Sequence, residues 1–284
     1  LAAPKNPKIP QKNIELQTKR AYLWGMEKPL ILVCNDDSIF APGIKALIRS
    51  MQTLGEVLVV APDSPQSGMG HAITINSTLR INRIPNDEGY EAYSCTGTPV
   101  DCIKIAVNKL AKRPISLVVS GINHGSNSSI NVIYSGTMSA AMEGCIEGFP
   151  SIGFSLCNYS YDADFEPTLP YVRHLAALVL SQGLPPGVCL NVNIPSPKKG
   201  GIKGVKVARQ AKAMWVEELD ERTDPRGGRY FWLTGSFRNL DAGMDTDEYA
   251  LEKGFISVVP VHIDFTAYSA ISEISQWNFE PPRI

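Results

Sequence analysis

The sequence predicts an α/β protein, a mainly parallel sheet flanked by helices, followed by a hairpin-rich C-terminal region. Three observations carry this. Apolar runs of strand length, Leu30–Val33, Val57–Val60 and Ile115–Val119, alternate with stretches whose apolar residues recur at helical spacing. That is the pattern of a sheet covered on both faces by crossover helices. Each run then leads into a polar loop, Asn35–Ser38, Ser64–Gly70 and Ser120–Asn127. In an open α/β sheet such strand-end loops gather at one edge. Beyond roughly residue 200 the alternation stops, and aromatic and acidic segments replace it.

A chain of 284 residues fits one large domain or a core with an appendage. Hydrophobic residues make up 44% and charged residues 19%, ordinary for a soluble globular protein. A formal net charge of −1 offers no electrostatic basis for binding a nucleic-acid polymer. No apolar stretch has the length to span a bilayer, so no membrane partner is expected. The six cysteines are scattered, without C-x-x-C or zinc spacing. They read as buried free thiols in a reducing cytoplasm, not as a disulfide framework. Leu1–Arg20 is rich in Pro, Lys, Asn and Gln and lacks the apolar core of a secretory signal. Residues 1–27 are set apart as an N-terminal extension: either Met26 is the start, or the extension is an arm lying on the surface. Residues 28–200 form the expected core and 201–284 the hairpin-rich region with its tail.

Taken in order, Leu30–Val33 is the first core strand. Pro42 opens a helix carrying Ile44, Leu47, Ile48 and Met51 on one face, and Gly55 stops it. Val57–Val60 is the second strand. Ala72–Ile75 and Leu79–Ile81 alternate in polarity, which predicts exposed antiparallel strands. Thr98 stands as N-cap and Pro99 as first residue of a helix running to Leu110. Ile115–Val119 is the third strand, and Ser135-Gly136-Thr137 enters an Ala-rich helix over 138–145. Pro150–Leu156 and Val188–Asn193 read as strands, with a helix between them over 169–180. Val205–Ala208 and Arg229–Leu233 read as the arms of a long hairpin. Phe255–Val259 is a last strand, followed by an amphipathic tail to Trp277. Trp215, Phe231 and Trp232 would bury either against a partner subunit or back on their own core.

The chemistry concentrates at the strand ends. Asp36 and Asp37 stand directly after the first strand. Adjacent carboxylates repel and are costly to desolvate, so they persist where a cation, water or donors hold them. The plain alternative is a solvated turn in which an Asp caps the next helix. The topology brings Ser67 and Asn123 to the same edge as the pair. Asp36, Asp37, Ser67 and Asn123 are all hard oxygen donors, which suit one divalent ion such as Mg²⁺ or Mn²⁺, or Ca²⁺, and do not suit structural zinc. Ser135, Gly136 and Thr137 at one helix start and Gly97 and Thr98 at another offer N–H groups and hydroxyls to a phosphate, with Asn35 beside them. Capping alone would also explain those residues. No Walker A or G-x-G-x-x-G sequence is present, so nucleoside triphosphate and dinucleotide binding lack a motif.

Taken together, Asn35-Asp36-Asp37, Ala41-Pro42-Gly43-Ile44, Gln66-Ser67-Gly68, Gly97-Thr98-Pro99-Val100-Asp101-Cys102, Ser120-Gly121-Ile122-Asn123-His124-Gly125 and Tyr134-Ser135-Gly136-Thr137 resemble the SurE family of stationary-phase survival nucleotidases. The likeness runs in order from about Pro29 to His262-Ile263-Asp264-Phe265-Thr266 and leaves out the N-terminal extension. It implies a Rossmann-like three-layer core and a metal-dependent phosphatase acting on nucleoside monophosphates. Its metal ligands fall on Asp36, Asp37, Ser67 and Asn123. It also implies a homodimer or homotetramer with exchanged C-terminal segments. One departure is Ser38, where the family usually has glycine; its hydroxyl either crowds the site or adds a hydrogen bond.

The expected reaction is hydrolysis of a phosphomonoester by water activated at the metal, with Asp36 and Asp37 as catalytic groups. Either His71 or His124 is available to protonate the leaving alkoxide. A covalent version makes one Asp the nucleophile. The rival of another class is a nucleotide-binding regulatory protein on the same fold, which Ser38 would favour.

Overall fold

The first strand, β1 (Leu30–Cys34), is buried along its whole length inside a nine-stranded sheet. The computed structural model describes residues 28–160, 162–196 and 201–280; the extension 1–27, Met26 included, lies outside the described residues. From β1 the chain forms α1 (Pro42–Gln52) and β2 (Glu56–Pro62), then β3 (Ile81–Arg83), β4 (Glu91–Cys95) and α2 (Pro99–Ile105), which continues as a π-helical turn over Ala106–Leu110. Next come β5 (Ile115–His124), the short α3 (Asn131–Tyr134), α4 (Gly136–Ile146), β6 (Ser151–Cys157), α5 (Leu169–Gln182) and β7 (Val188–Pro195). The chain goes on through β8 (Val205–Val207), β9 (Ala213–Thr223), β10 (Arg229–Asn239), α6 (Asp247–Glu252), β11 (Ile256–His262) and α7 (Tyr268–Ile274).

The strand order is β3-β4-β2-β1-β5-β6-β7-β11-β8. Neighbours from β4 to β7 are parallel, while β3 pairs antiparallel with β4 and β11 antiparallel with β7. Side chains alternate across β1. Ile31 and Val33 pack with α1 and α5; Leu30, Leu32 and Cys34 pack with α2 and α4. This is the expected three-layer sandwich. The chain moves outward from β1 through β2 to β4, then returns to place β5 on the other side of β1. The switch point therefore lies at the carboxyl ends of β1 and β5.

At that point β5 is irregular. Its pairing with β6 runs Ser120↔Gly153 and resumes at Asn123↔Ser155 with a register shift between. Such a bulge re-aims the side chains after it. Gly121 makes it, with φ of +118°, and a Cβ there would stand 2.2 Å from the Phe154 carbonyl oxygen.

Three sequence expectations are corrected. Val205–Ala208 is not a hairpin arm: β8 joins the main sheet beside β11. The hairpin is β9 with β10, in register from Ala213↔Asn239 to Thr223↔Arg229. Both readings satisfy apolar alternation, and only the second leaves a short loop, over 224–228, to close the pair. Ala72–Ile75 is not a strand, because its backbone is spent on contacts to α2. The edge strand expected at Leu79–Ile81 lies at Ile81–Arg83. The cysteines are all free, as expected. Among the described residues no helix is long and apolar enough to cross a membrane.

Gly121→Ala combines a left-handed backbone with a backbone clash, so it is expected to destabilise the fold by about 2–4 kcal/mol. A lowered urea midpoint at unchanged m-value is the readout.

Candidate active site

Asp36 follows the buried end of β1 and is itself 4% exposed. Its Oδ1 accepts the Thr137 hydroxyl at 2.5 Å. Thr137 lies in the first turn of α4, whose N-cap is Ser135; the Ser135 hydroxyl accepts Met138 N–H at 3.0 Å. The helix start is pressed against the carboxylate: a Cβ on Gly136 would lie 2.7 Å from the Asp36 Cβ. Only glycine permits that approach.

Burial pushes the Asp36 pKa up to about 6. The Thr137 hydroxyl and N–H pull it back, and the neighbouring Asp37 charge adds to the rise. Asp37 is more open. Its Oδ2 accepts His124 N–H at 3.3 Å and lies 3.6 Å from His124 Nδ1. The His124 ring stands edge-on to Phe165, 4.8 Å between centroids, and its Nε2 is buried without a partner. No lysine or arginine pairs with either carboxylate among the described residues.

The other candidates cluster around this pair. Asn123 donates both amide hydrogens, to the His124 and Gly125 carbonyls at 3.1 and 2.9 Å. That leaves its Oδ1 as the acceptor for an incoming group. Ser67 is exposed on its loop, and the loop is tied beside the pair by Gln66 N–H on the Asp36 carbonyl at 2.7 Å. Asn35 is buried; its Nδ2 donates to the Ser38 carbonyl at 2.8 Å and its Oδ1 has no partner. Ser38 adopts φ of +89°, a conformation that favours glycine. Its hydroxyl accepts Phe40 N–H at 3.2 Å, so the serine adds a hydrogen bond here.

Gly97 and Thr98 stand apart from this picture. The Gly97 N–H donates to the Cys95 sulfur at 3.3 Å. The Thr98 N–H donates to Asp101 at 2.9 Å, and its hydroxyl to the Ala72 carbonyl at 2.8 Å. Thr98 and Asp101 form a complete capping box. These donors have partners inside the protein, which gives Gly97 and Thr98 an anchoring role at the start of α2. Asp101 at the third helical position was the signal for the box. Glu143 and Lys104 were missed, because nothing in an Ala-rich helix marks one buried carboxylate as special.

The donor set fits a hard divalent cation. Among the described residues, two carboxylates sit together without a lysine or arginine, one of them buried with a raised pKa, and the remaining free donors are amide and hydroxyl oxygens. Among the described residues no group of three His, Cys, Asp or Glu side chains could hold a metal, so any cation here depends on the neutral oxygens as well.

Fold and site together define an α/β protein with an all-oxygen donor site at its switch point, beside a helix N-terminus. The family model for survival protein SurE matches residues 31–217, and the chain belongs to that family. The 5′-nucleotidase SurE of Flavobacterium psychrophilum is 60% identical over 254 residues, covering 89% of this chain and 99% of the relative. That of Christiangramia forsetii is also 60% identical over 254 residues, covering 89% and 98%. The crystal structure of SurE protein from Aquifex aeolicus superposes with a TM-score of 0.75 at 38% identity, covering 87% of this chain and 98% of that one.

The folded protein holds the Asp36 proton more tightly than the unfolded chain, whose carboxyl titrates near 3.8. The corresponding stability is complete below that value and is lost as pH rises through about 6. In EDTA, Asp36→Asn is therefore expected to be more stable than the wild type by on the order of 2 kcal/mol at neutral pH. The two proteins should converge in denaturant unfolding in the acid range.

Proposed function

We propose that this protein hydrolyses nucleoside 5′-monophosphates, with a divalent cation, Mg²⁺ or Mn²⁺, held by Asp36, Asp37, Ser67 and Asn123. The observation that carries the reading is Asp36: a buried carboxylate with no cationic partner among the described residues, facing a helix N-terminus, in a chain whose close relatives bear a 5′-nucleotidase name. A cation bound there supplies charge neutralisation for the phosphate and acidifies water.

The chain's own groups do the rest. Thr137 and the start of α4 hold Asp36 in place and offer positive dipole to an anion. In this reading the Gly136 and Thr137 N–H groups receive phosphate oxygens as charge shifts in the transition state. His124 N–H fixes Asp37, which orients the attacking water. His124 is better placed than His71 to pass a proton to the leaving alkoxide, since His71 Nε2 is committed to Glu143. In this reading Ser38 is tolerated, its hydroxyl accepting Phe40 N–H; nucleotide binding without phosphate release would favour the regulatory alternative.

Residues 28–200 carry all of these groups. The β9–β10 hairpin leaves Leu219, Phe231, Trp232 and Leu233 exposed, although Trp215 Nε1 reaches Asn131 Oδ1 at 2.7 Å. An isolated two-stranded ribbon is marginal in water, so we place a second copy of the chain on it, with the tail exchanged, as a homodimer or homotetramer. The free thiols fit a reducing cytoplasm.

Phosphate release from AMP should require Mg²⁺ or Mn²⁺, stop on chelation and return on metal add-back. Asp37→Ala should lose activity by about a hundredfold or more; equal rates in both proteins would sink the assignment. A panel of 3′-nucleotides and polyphosphate defines the breadth of the same site. Phe231→Ser with Trp232→Ser should lower the mass seen by light scattering, whereas an unchanged mass places the contact elsewhere.

A further inference from the structure

The loop that carries Ser67 packs on the apolar core only at its far end, through Leu79. From Ser64 to Leu79 it forms no helix or strand, and Met69, Ile73 and Ile75 are exposed. Polar contacts set its course. After Gln66, Gly70 N–H donates to the Tyr134 carbonyl at 3.1 Å. His71 Nε2 then donates to Glu143 Oε2 at 2.9 Å. Thr74 reaches Asp101 through its N–H at 3.1 Å and its hydroxyl at 2.6 Å.

Glu143 is buried in the middle of α4, and its other oxygen accepts Lys104 Nζ of α2 at 2.5 Å. Burial works against its charge, yet His71 and Lys104 outweigh burial and hold its carboxyl below the usual range. A carboxylate in an apolar layer is costly unless it is paired. This one joins three elements at once: the Ser67 loop, the helix begun by Thr98 and the helix begun by Ser135. The hydrolysis described above makes no use of it.

We propose that His71 and Glu143 are positioning residues for the metal site, latching the loop so that the Ser67 hydroxyl stays beside Asp36 as a preformed ligand. The inference rests on the ligand set proposed above. Outer-shell partners of this kind set metal affinity by orienting the groups that bind.

The test is Mn²⁺ binding to the full chain without substrate, followed by the electron paramagnetic resonance of free Mn²⁺. Wild type is compared with Ser67→Ala, His71→Ala, His71→Gln and the double variant Ser67→Ala/His71→Ala. Each alanine variant should bind about tenfold more weakly. The double variant should be no more than about twofold weaker than either, because both changes remove the same ligand. His71→Gln keeps a donor for Glu143 and should recover to within about threefold of wild type. The side chain of His71 is partly exposed, and in these variants Glu143 keeps its pair with Lys104. The proposal is overturned if His71→Ala binds like wild type while Ser67→Ala is weakened, or if the two losses multiply. If Ser67→Ala itself binds like wild type, or the wild type binds no Mn²⁺, the ligand set fails and the latch falls with it.

Discussion

The molecule is arranged around the desolvation of one carboxylate. β1 is an interior strand, so the residue that leaves its end enters a space closed by β5 and by the start of α4. Placing an acid there is unfavourable, and a second acid next to it makes it more so. The structure answers with a hydroxyl and an N–H from Thr137, and with a glycine that lets the helix start approach. These donors do not complete the balance, since Asp36 still titrates near 6. The remaining deficit is positive charge, which a cation in the proposed site would supply.

Around that centre the loops are fixed by polar ties more than by apolar packing. Asn193 accepts Asn127 N–H at 2.8 Å, Asn127 donates to Ser155 at 2.8 Å, and Asn191 donates to the Asn127 carbonyl at 2.8 Å. These groups are all buried, and they hold the loop after Asn123 onto the ends of β6 and β7. Asp247 accepts N–H groups from Ser129 at 2.7 Å and Ala211 at 2.9 Å, joining the same loop to the root of the hairpin. Satisfied buried networks are rigid because each broken bond leaves an unpaired group in low dielectric. The proposed metal site, with neutral oxygens in fixed positions, would gain more from such ties than from mobile apolar contacts.

Much of this was legible in the residues. Uninterrupted apolar runs identified β1, β2 and β5, because a parallel strand covered on both faces needs no polar alternation. Caps identified the helix starts: Pro42, Thr98 with Pro99, and Ser135 behave as read. The hairpin was misplaced because pairing partners are a matter of three-dimensional register, and β8 offers the same alternation as a true arm. Ala72–Ile75 looked like a strand for the same reason; its partners are side chains of α2, which a local pattern does not contain.

The sequence by itself determined the class of fold, the family and the presence of Asp36, Asp37, Ser67 and Asn123 at strand ends, because hydrophobic period and strand-to-loop order are local properties of the chain. Only the tertiary structure decided how each group is used. Thr98 and Thr137 look alike as hydroxyls near helix starts, yet Thr98 closes a capping box while Thr137 faces Asp36. Glu143 is one acid in an apolar helix until His71 and Lys104 arrive from elsewhere in the chain. A donor's role depends on which acceptor is nearest once the chain is packed, and that distance is not written in neighbouring residues.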